Sequence, residues 1–172
     1  MGKTLVSYQT LYGSTKEAAS LISEVLKNDY KLEVDLHRFE EKKEYPNLAD
    51  YENIVIGSCI FHGKWGNNAE SFLKKDFQGK KIAIFVCAGF AGEKKLYKQA
   101  YKSFLKDVVD KYPQLKPISM KAFGGRIPKS KLPHIWLLRT LGKMPNFRSD
   151  NRNLDEVKTW AEEIGKKFKV VE

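Results

Sequence analysis

The sequence predicts an α/β fold, a doubly wound five-stranded parallel sheet in the order 2-1-3-4-5 with helices on both faces. Three observations carry that expectation. Short apolar runs alternate with segments of helical periodicity along the whole chain. Two of the runs, Asn53–Gly57 and Ile82–Cys87, are unbroken and apolar, as strands covered on both faces of a parallel sheet are. The connections between them are short, so each strand returns to the same sheet through a helix.

Each element has its own pattern. Thr4–Tyr8 reads as the first strand and breaks into Thr10-Leu11-Tyr12-Gly13-Ser14-Thr15. Ala18, Leu21, Ile22, Val25 and Leu26 then recur at three and four, which places them on one helix face. Leu32, Val34 and Leu36 alternate with Glu33, Asp35 and His37, the mark of a half-exposed strand at a sheet edge. Asn68–Lys75 reads as a short helix burying Ala69, Phe72 and Leu73. Lys95–Tyr112 is the longest periodic segment, with Tyr97, Tyr101, Phe104, Leu105 and Val108 on its apolar face, and Pro113 and Pro117 bracket its exit. Ile118, Met120 and Ala122 alternate as the fifth strand. Asn153 followed by Glu156 has capping-box spacing and opens a last helix that buries Leu154, Val157, Trp160 or Ala161, Ile164 and Phe168.

At 172 residues and 42% hydrophobic composition, a single domain over 1–172 is expected. No apolar run approaches the roughly 20 residues of a membrane helix. The N-terminus enters a strand pattern without the regions of a signal peptide, so a cytoplasmic location is expected, with at most peripheral contact at the inner face of the cell membrane. Lys and Arg number 31 against 21 Asp and Glu, a net charge of +10. That balance favours anionic partners, although lysines that merely solubilise helix faces give the same count. No nucleic-acid motif accompanies the charge. Cys59 and Cys87 lack metal-ligand or CxxC spacing, and no His/Cys/carboxylate cluster suggests a metal.

The stretch Thr10–Thr15 joins a strand, a hydroxyl-rich turn with one glycine and a helix start. Amides at a helix N-terminus are unpaired and lie at the positive end of the dipole, which makes a phosphate cradle. Thr10, Ser14 and Thr15 add hydroxyl donors. The spacing is not that of a Walker motif, GxxxxGK[ST].

This stretch resembles the flavodoxin phosphate loop, T-x-[TY]-G-[NS]-T, at the place that family has it. The likeness runs from Leu5 to Phe168, with Ser7 and Ser20 standing where aliphatic residues are usual. It implies a flavodoxin-like fold and FMN as cofactor, its phosphate held by Thr10, Leu11, Tyr12, Gly13, Ser14 and Thr15. Two further loops would complete the flavin site: Ser58, Cys59, Ile60, Phe61, His62, Gly63 and Trp65 in one, and Cys87, Ala88, Gly89 and Phe90 in the other. Phe61, Trp65 and Phe90 offer ring faces, though each alone also suits a cap on the core. His62 is the one titratable side chain suited to proton traffic near neutral pH, and a solvated loop histidine is its plain alternative. Cys59 and Cys87 end neighbouring strands and serve equally as small fillers.

A narrower resemblance rests on Ile56-Gly57-Ser58 with Gly63 beyond it, on Phe123-Gly124-Gly125-Arg126, and on an insert containing Trp136 before the final helix. These resemble the menaquinone-dependent protoporphyrinogen IX dehydrogenases of haem biosynthesis. The insert, about 126–152, is basic, and Leu132, Ile135, Trp136, Leu137, Leu138, Leu141 and Met144 extend around its helical wheel. Arg126, Trp136, Arg139 and Lys143 are its candidate contacts with a hydrophobic anion, a quinone or a membrane surface. An extra core helix with exposed basic flanks is the alternative. The resemblance implies an FMN-dependent oxidoreductase acting on protoporphyrinogen IX or a similar hydrophobic substrate with a quinone acceptor. Two other readings stay open: a soluble electron-transfer flavodoxin serving an acidic redox protein, and a non-catalytic binding module on the same scaffold.

Overall fold

The computed structural model describes residues 2–39, 45–128 and 149–170. Its main strands are β1 (Thr4–Gln9), β2 (Val34–Arg38), β3 (Asn53–Phe61), β5 (Lys81–Ala88) and β6 (Ser119–Gly124), all paired in parallel in the order β2-β1-β3-β5-β6. With the two-residue β4 (Lys64–Trp65) set aside, this is the expected 2-1-3-4-5 order. β4 pairs antiparallel with the end of β3 and was not foreseen. Helices α1 (Ser14–Asn28) and α5 (Leu154–Lys169) lie side by side on one face. α2 (Asn67–Phe72) and α3 (Lys94–Tyr101) cover the other.

The period-two pattern of each strand feeds two separate cores. Val6, Val55, Phe85 and Phe123 point toward α1 and α5, where they meet Ile22, Leu26, Trp160 and Ile164. Leu5, Ile54, Ile56, Ile84 and Val86 point the other way, toward Phe72, Leu73 and Leu105. Phe72, Phe85 and Phe123 are all fully buried, each worth about 1.5–3 kcal/mol by removal from water. Among the described residues β2 pairs with β1 alone and is the edge strand expected from the sequence. At α5 the Asn153 side chain accepts from the Asp155 and Glu156 amides, so one cap residue satisfies two orphan donors.

The segment expected as one helix over 95–112 is interrupted. α3 passes into a π-helical turn, Lys102–Lys106, and a last α turn, α4 (Asp107–Val109). A π turn adds a residue to the repeat, which brings the adjacent pairs Phe104–Leu105 and Val108–Val109 into one buried surface. The apolar face read from the sequence already held Phe104, Leu105 and Val108, but a regular 3.6-residue repeat does not show the extra residue of the π turn or the burial of Val109. The helix expected over 68–75 is the shorter α2, with Phe72 and Leu73 both buried. Most of the insert, including Trp136, Arg139 and Lys143, lies outside the described residues. No helix among the described residues is long and apolar enough to cross a membrane, and no group of three metal-ligating side chains occurs among them.

Candidate functional site

The carboxyl ends of β1, β3 and β5 are neighbours in the sheet, so the three loops that leave them gather at one edge. Strand order alone brings together the three groups of residues singled out in the sequence.

The first loop, Thr10–Thr15, turns at Gly13, whose φ of 92° gives the left-handed conformation at the N-cap of α1. A Cβ there would meet nothing within 4 Å, so the glycine is required by the backbone angle and not by lack of room. Thr10 Oγ1 accepts from the Gly13 amide at 3.0 Å. Ser14 Oγ accepts from the Arg126 amide at 2.9 Å, which leaves its own proton to donate. Thr15 Oγ1 is fully buried and makes no well-formed hydrogen bond. Leu11 stands 49% exposed beside it.

The second loop is a tight hairpin. Ile60 pairs with Trp65 and Phe61 with Lys64, while His62 and Gly63 have φ of 48° and 75°. Two positive angles in a two-residue connection are those of a type I′ turn. His62 thus holds a backbone position at the tip, exposed, with its ring edge-on to Phe61 at 4.0 Å. Phe61 is 48% exposed and also meets Tyr12 edge-on at 6.4 Å. Trp65 is buried, and its indole donates to the Phe104 carbonyl at 2.6 Å. It anchors the hairpin in the core and offers no ring face on the exposed side. Ser58 is buried as well: Ser58 Oγ accepts from the Gly66 amide at 3.0 Å and donates to the Cys59 carbonyl.

In the third loop, Gly89 and Phe90 are half-buried, and Phe90 leans on Phe104 at 5.6 Å. Cys59 and Cys87 lie opposite each other across β3 and β5. Burial pushes the Cys87 thiol up to about 12, partly offset by the adjacent Thr15 hydroxyl, although no well-formed hydrogen bond joins the two. Burial also raises the Cys59 thiol, opposed by the Cys59 and Leu11 backbone amides. Both are protonated near neutral pH and poor nucleophiles.

Several supporting residues escaped the sequence reading. Gln9 Oε1 accepts from the Asn68 and Ala69 amides, capping α2 behind the second loop. Asn151 Nδ2 donates to the Gly89 carbonyl at 2.6 Å. The closest sequence hint was the pair Gly124-Gly125. A Cβ on Gly124 would come within 1.8 Å of the Asn151 carbonyl oxygen, so only glycine admits that crossing.

A doubly wound parallel sheet with its loops converging at the strand carboxyl ends defines a class of crevice-binding α/β proteins. Within that class, the flavodoxin domain family matches residues 5–144, and this chain belongs to it. Over 76 residues it is 34% identical to protoporphyrinogen IX dehydrogenase [quinone] of Escherichia coli strain K12, a match covering 42% of this chain and 39% of that protein. The match thus spans well under half of the relative's length. Among solved structures, a flavoprotein of Bacteroides uniformis superposes with a TM-score of 0.62 at 18% identity, over 94% of this chain and 98% of that one. Oxidised flavodoxin 2 of Bacillus cereus gives 0.57 at 20% identity, over 97% and 100%. A Lactobacillus acidophilus flavoprotein in complex with FMN gives 0.51 at 18%, over 71% and 93%. At these identities the structures speak for the fold.

Proposed function

We propose that this chain binds FMN across the three loops and acts as an oxidoreductase. The observation that carries the reading is the first loop: an open left-handed turn, a buried unpaired Thr15 hydroxyl and a Ser14 hydroxyl with a proton to give, at the N-terminus of α1. A dianionic phosphate fits that donor set. Thr10, Leu11, Tyr12, Gly13, Ser14 and Thr15 would hold it. Leu11 and Phe61, each half-exposed, would cover an apolar ring, with Tyr12 and His62 beside Phe61. Backbone groups of Cys59, Ile60, Gly63, Ala88, Gly89 and Phe90 would line its polar edge. Ser58, Trp65 and Cys87 support the walls from inside. Bound FMN supplies the hydride and electron chemistry, and the protein positions it and tunes its potential. No side chain of the described residues is assigned as acid or base.

By analogy with the dehydrogenase it partly matches, the substrate is protoporphyrinogen IX or a similar hydrophobic molecule, with a quinone as acceptor. The basic insert, with Arg126 at its root, suits an apolar anion. A second reading is a flavodoxin carrying electrons to an acidic redox protein, the kind of partner a net charge of +10 suits. A single cytoplasmic domain, with at most peripheral contact at the inner face of the cell membrane, is part of the same proposal.

The visible spectrum of the purified protein is the first test. Flavin bands, or saturable uptake of added FMN, are expected; a colourless protein that takes up no FMN overturns the reading. Anaerobic protoporphyrinogen with menaquinone as acceptor then separates enzyme from carrier. Salt-dependent electron transfer to acidic proteins without porphyrinogen oxidation favours the carrier.

A further inference from the structure

The two ends of the insert meet in a short neck that grips the first and third loops. Arg126 and Asp150 form an antiparallel bridge, the Ile127 amide donates to the Ser149 carbonyl and the Asn151 amide to the Gly125 carbonyl. From this neck the Arg126 amide reaches Ser14 Oγ and the Asn151 side chain reaches Gly89. Arg152 reaches furthest. Its Nε and Nη2 bond both oxygens of Asp150, at 2.9 and 2.6 Å, and its Nη1 lies 2.7 Å from Glu17 Oε2.

Glu17 is the acidic residue in the first turn of α1. A carboxylate there suits the helix dipole, but it competes with any anion held at the same N-terminus. Two like charges within a turn repel appreciably at the effective dielectric of a protein surface. Arg152, whose one guanidinium also holds Asp150, offsets part of that charge, and it does so from 135 residues away with its side chain only 27% exposed.

We propose that Arg152 is a positioning and specificity residue for the phosphate of the ligand: by offsetting part of the Glu17 charge and tying the insert's neck to α1, it lets the first loop select a phosphorylated flavin over an unphosphorylated one. This rests on the FMN reading. Arg152 acts through Glu17 and the loop and is not assigned a contact with the phosphate. The Arg126 amide on Ser14 works in the same direction, because it fills an acceptor site of the Ser14 oxygen and leaves the proton to donate.

The test is titration of the apoprotein with FMN and, separately, with riboflavin, which has no phosphate. Arg152→Ala should raise the Kd for FMN about fivefold to tenfold and change riboflavin less than about twofold, as expected for a charge effect at this range. Adding Glu17→Gln to Arg152→Ala should return most of the FMN affinity. Equal loss for both flavins, or no recovery in the double variant, overturns the proposal and leaves Arg152 a structural clamp. Should Arg152→Ala fail to fold, Glu17→Gln alone decides: FMN should tighten while riboflavin stays constant, and an unchanged FMN affinity refutes the idea. If the native chain takes neither flavin, the FMN reading falls. Inorganic phosphate then carries the question, since it should raise the Tm of the native chain and not of Arg152→Ala. No rise in the native chain overturns this inference too.

Discussion

At the amino ends of the strands, polar groups consume one another. Lys3 Nζ lies 2.8 Å from Asp35 and 3.4 Å from Glu33, and the Tyr51 hydroxyl donates to Asp35 at 2.7 Å. Asn53 Nδ2 donates to the buried Thr4 hydroxyl. The carboxyl ends are finished differently. There Thr15 keeps a buried oxygen unpaired, Ser14 keeps a proton, and Leu11 and Phe61 stand half in water. One end is closed on itself for stability; the other leaves donors and apolar surface for something outside the chain. Leaving a buried polar atom unpaired costs about 1–3 kcal/mol, a cost that a ligand can offset.

That contrast can be broken or sharpened by substitution. The largest effect is expected at the root of the hairpin. Trp65→Ala removes a buried ring and its bond to the Phe104 carbonyl, and should cost about 3–5 kcal/mol in urea unfolding. Because it also frees the loop that carries Phe61, flavin affinity should fall with it. Thr15→Ala should weaken FMN about tenfold by titration, or about 1.4 kcal/mol, with little change in Tm. Equal affinity would mean that the open end is not where the phosphate sits.

At the closed end the signs reverse. Tyr51→Phe should cost about 1 kcal/mol of stability through the lost bond to Asp35 and leave flavin affinity alone. The hydrogen bond from Lys3, followed by that from Tyr51, holds the Asp35 carboxyl below its usual value. Its stabilisation is therefore full above the ordinary carboxylate pKa of about 4 and is lost as pH falls below that toward the folded value. Thermal melts from pH 5 downward should show a shallower acid decline for Asp35→Asn than for the native chain. The smallest change is expected for Ser7→Ala. Ser7 Oγ is the other buried, unpaired hydroxyl among the described residues, but it lies mid-strand, paired in register with Ile56 and away from the loops. Removing it should be neutral or stabilising by up to about 1 kcal/mol and silent in flavin titration. A loss of flavin there would erase the distinction drawn between the two hydroxyls.

The residues show why some of this was legible beforehand. Unbroken runs such as Ile54–Ile56 reflect burial on both faces of the sheet, and that is local information, whereas in β2 Val34 is buried and Leu36 stands 42% exposed. The cap at Asn153 and the turn at Gly13 are equally local. Phe61 and Trp65, four positions apart in one loop, looked alike in the sequence, yet one faces water and the other the core. The hairpin decides this, because a type I′ turn at His62-Gly63 makes β4 fold back and sends Trp65 inward. The π turn was hidden because a one-residue widening of a single turn leaves no mark in a 3.6-residue repeat.

By itself, then, the sequence determined the succession of strands and helices, the glycine turn with its hydroxyls and the excess of positive charge, all properties of neighbours along the chain. The tertiary structure decided that Trp65 and Ser58 serve the interior and that Arg152 answers Glu17. Those depend on pairings between residues tens to more than a hundred positions apart, whose energies appear only once the sheet has brought their backbones together.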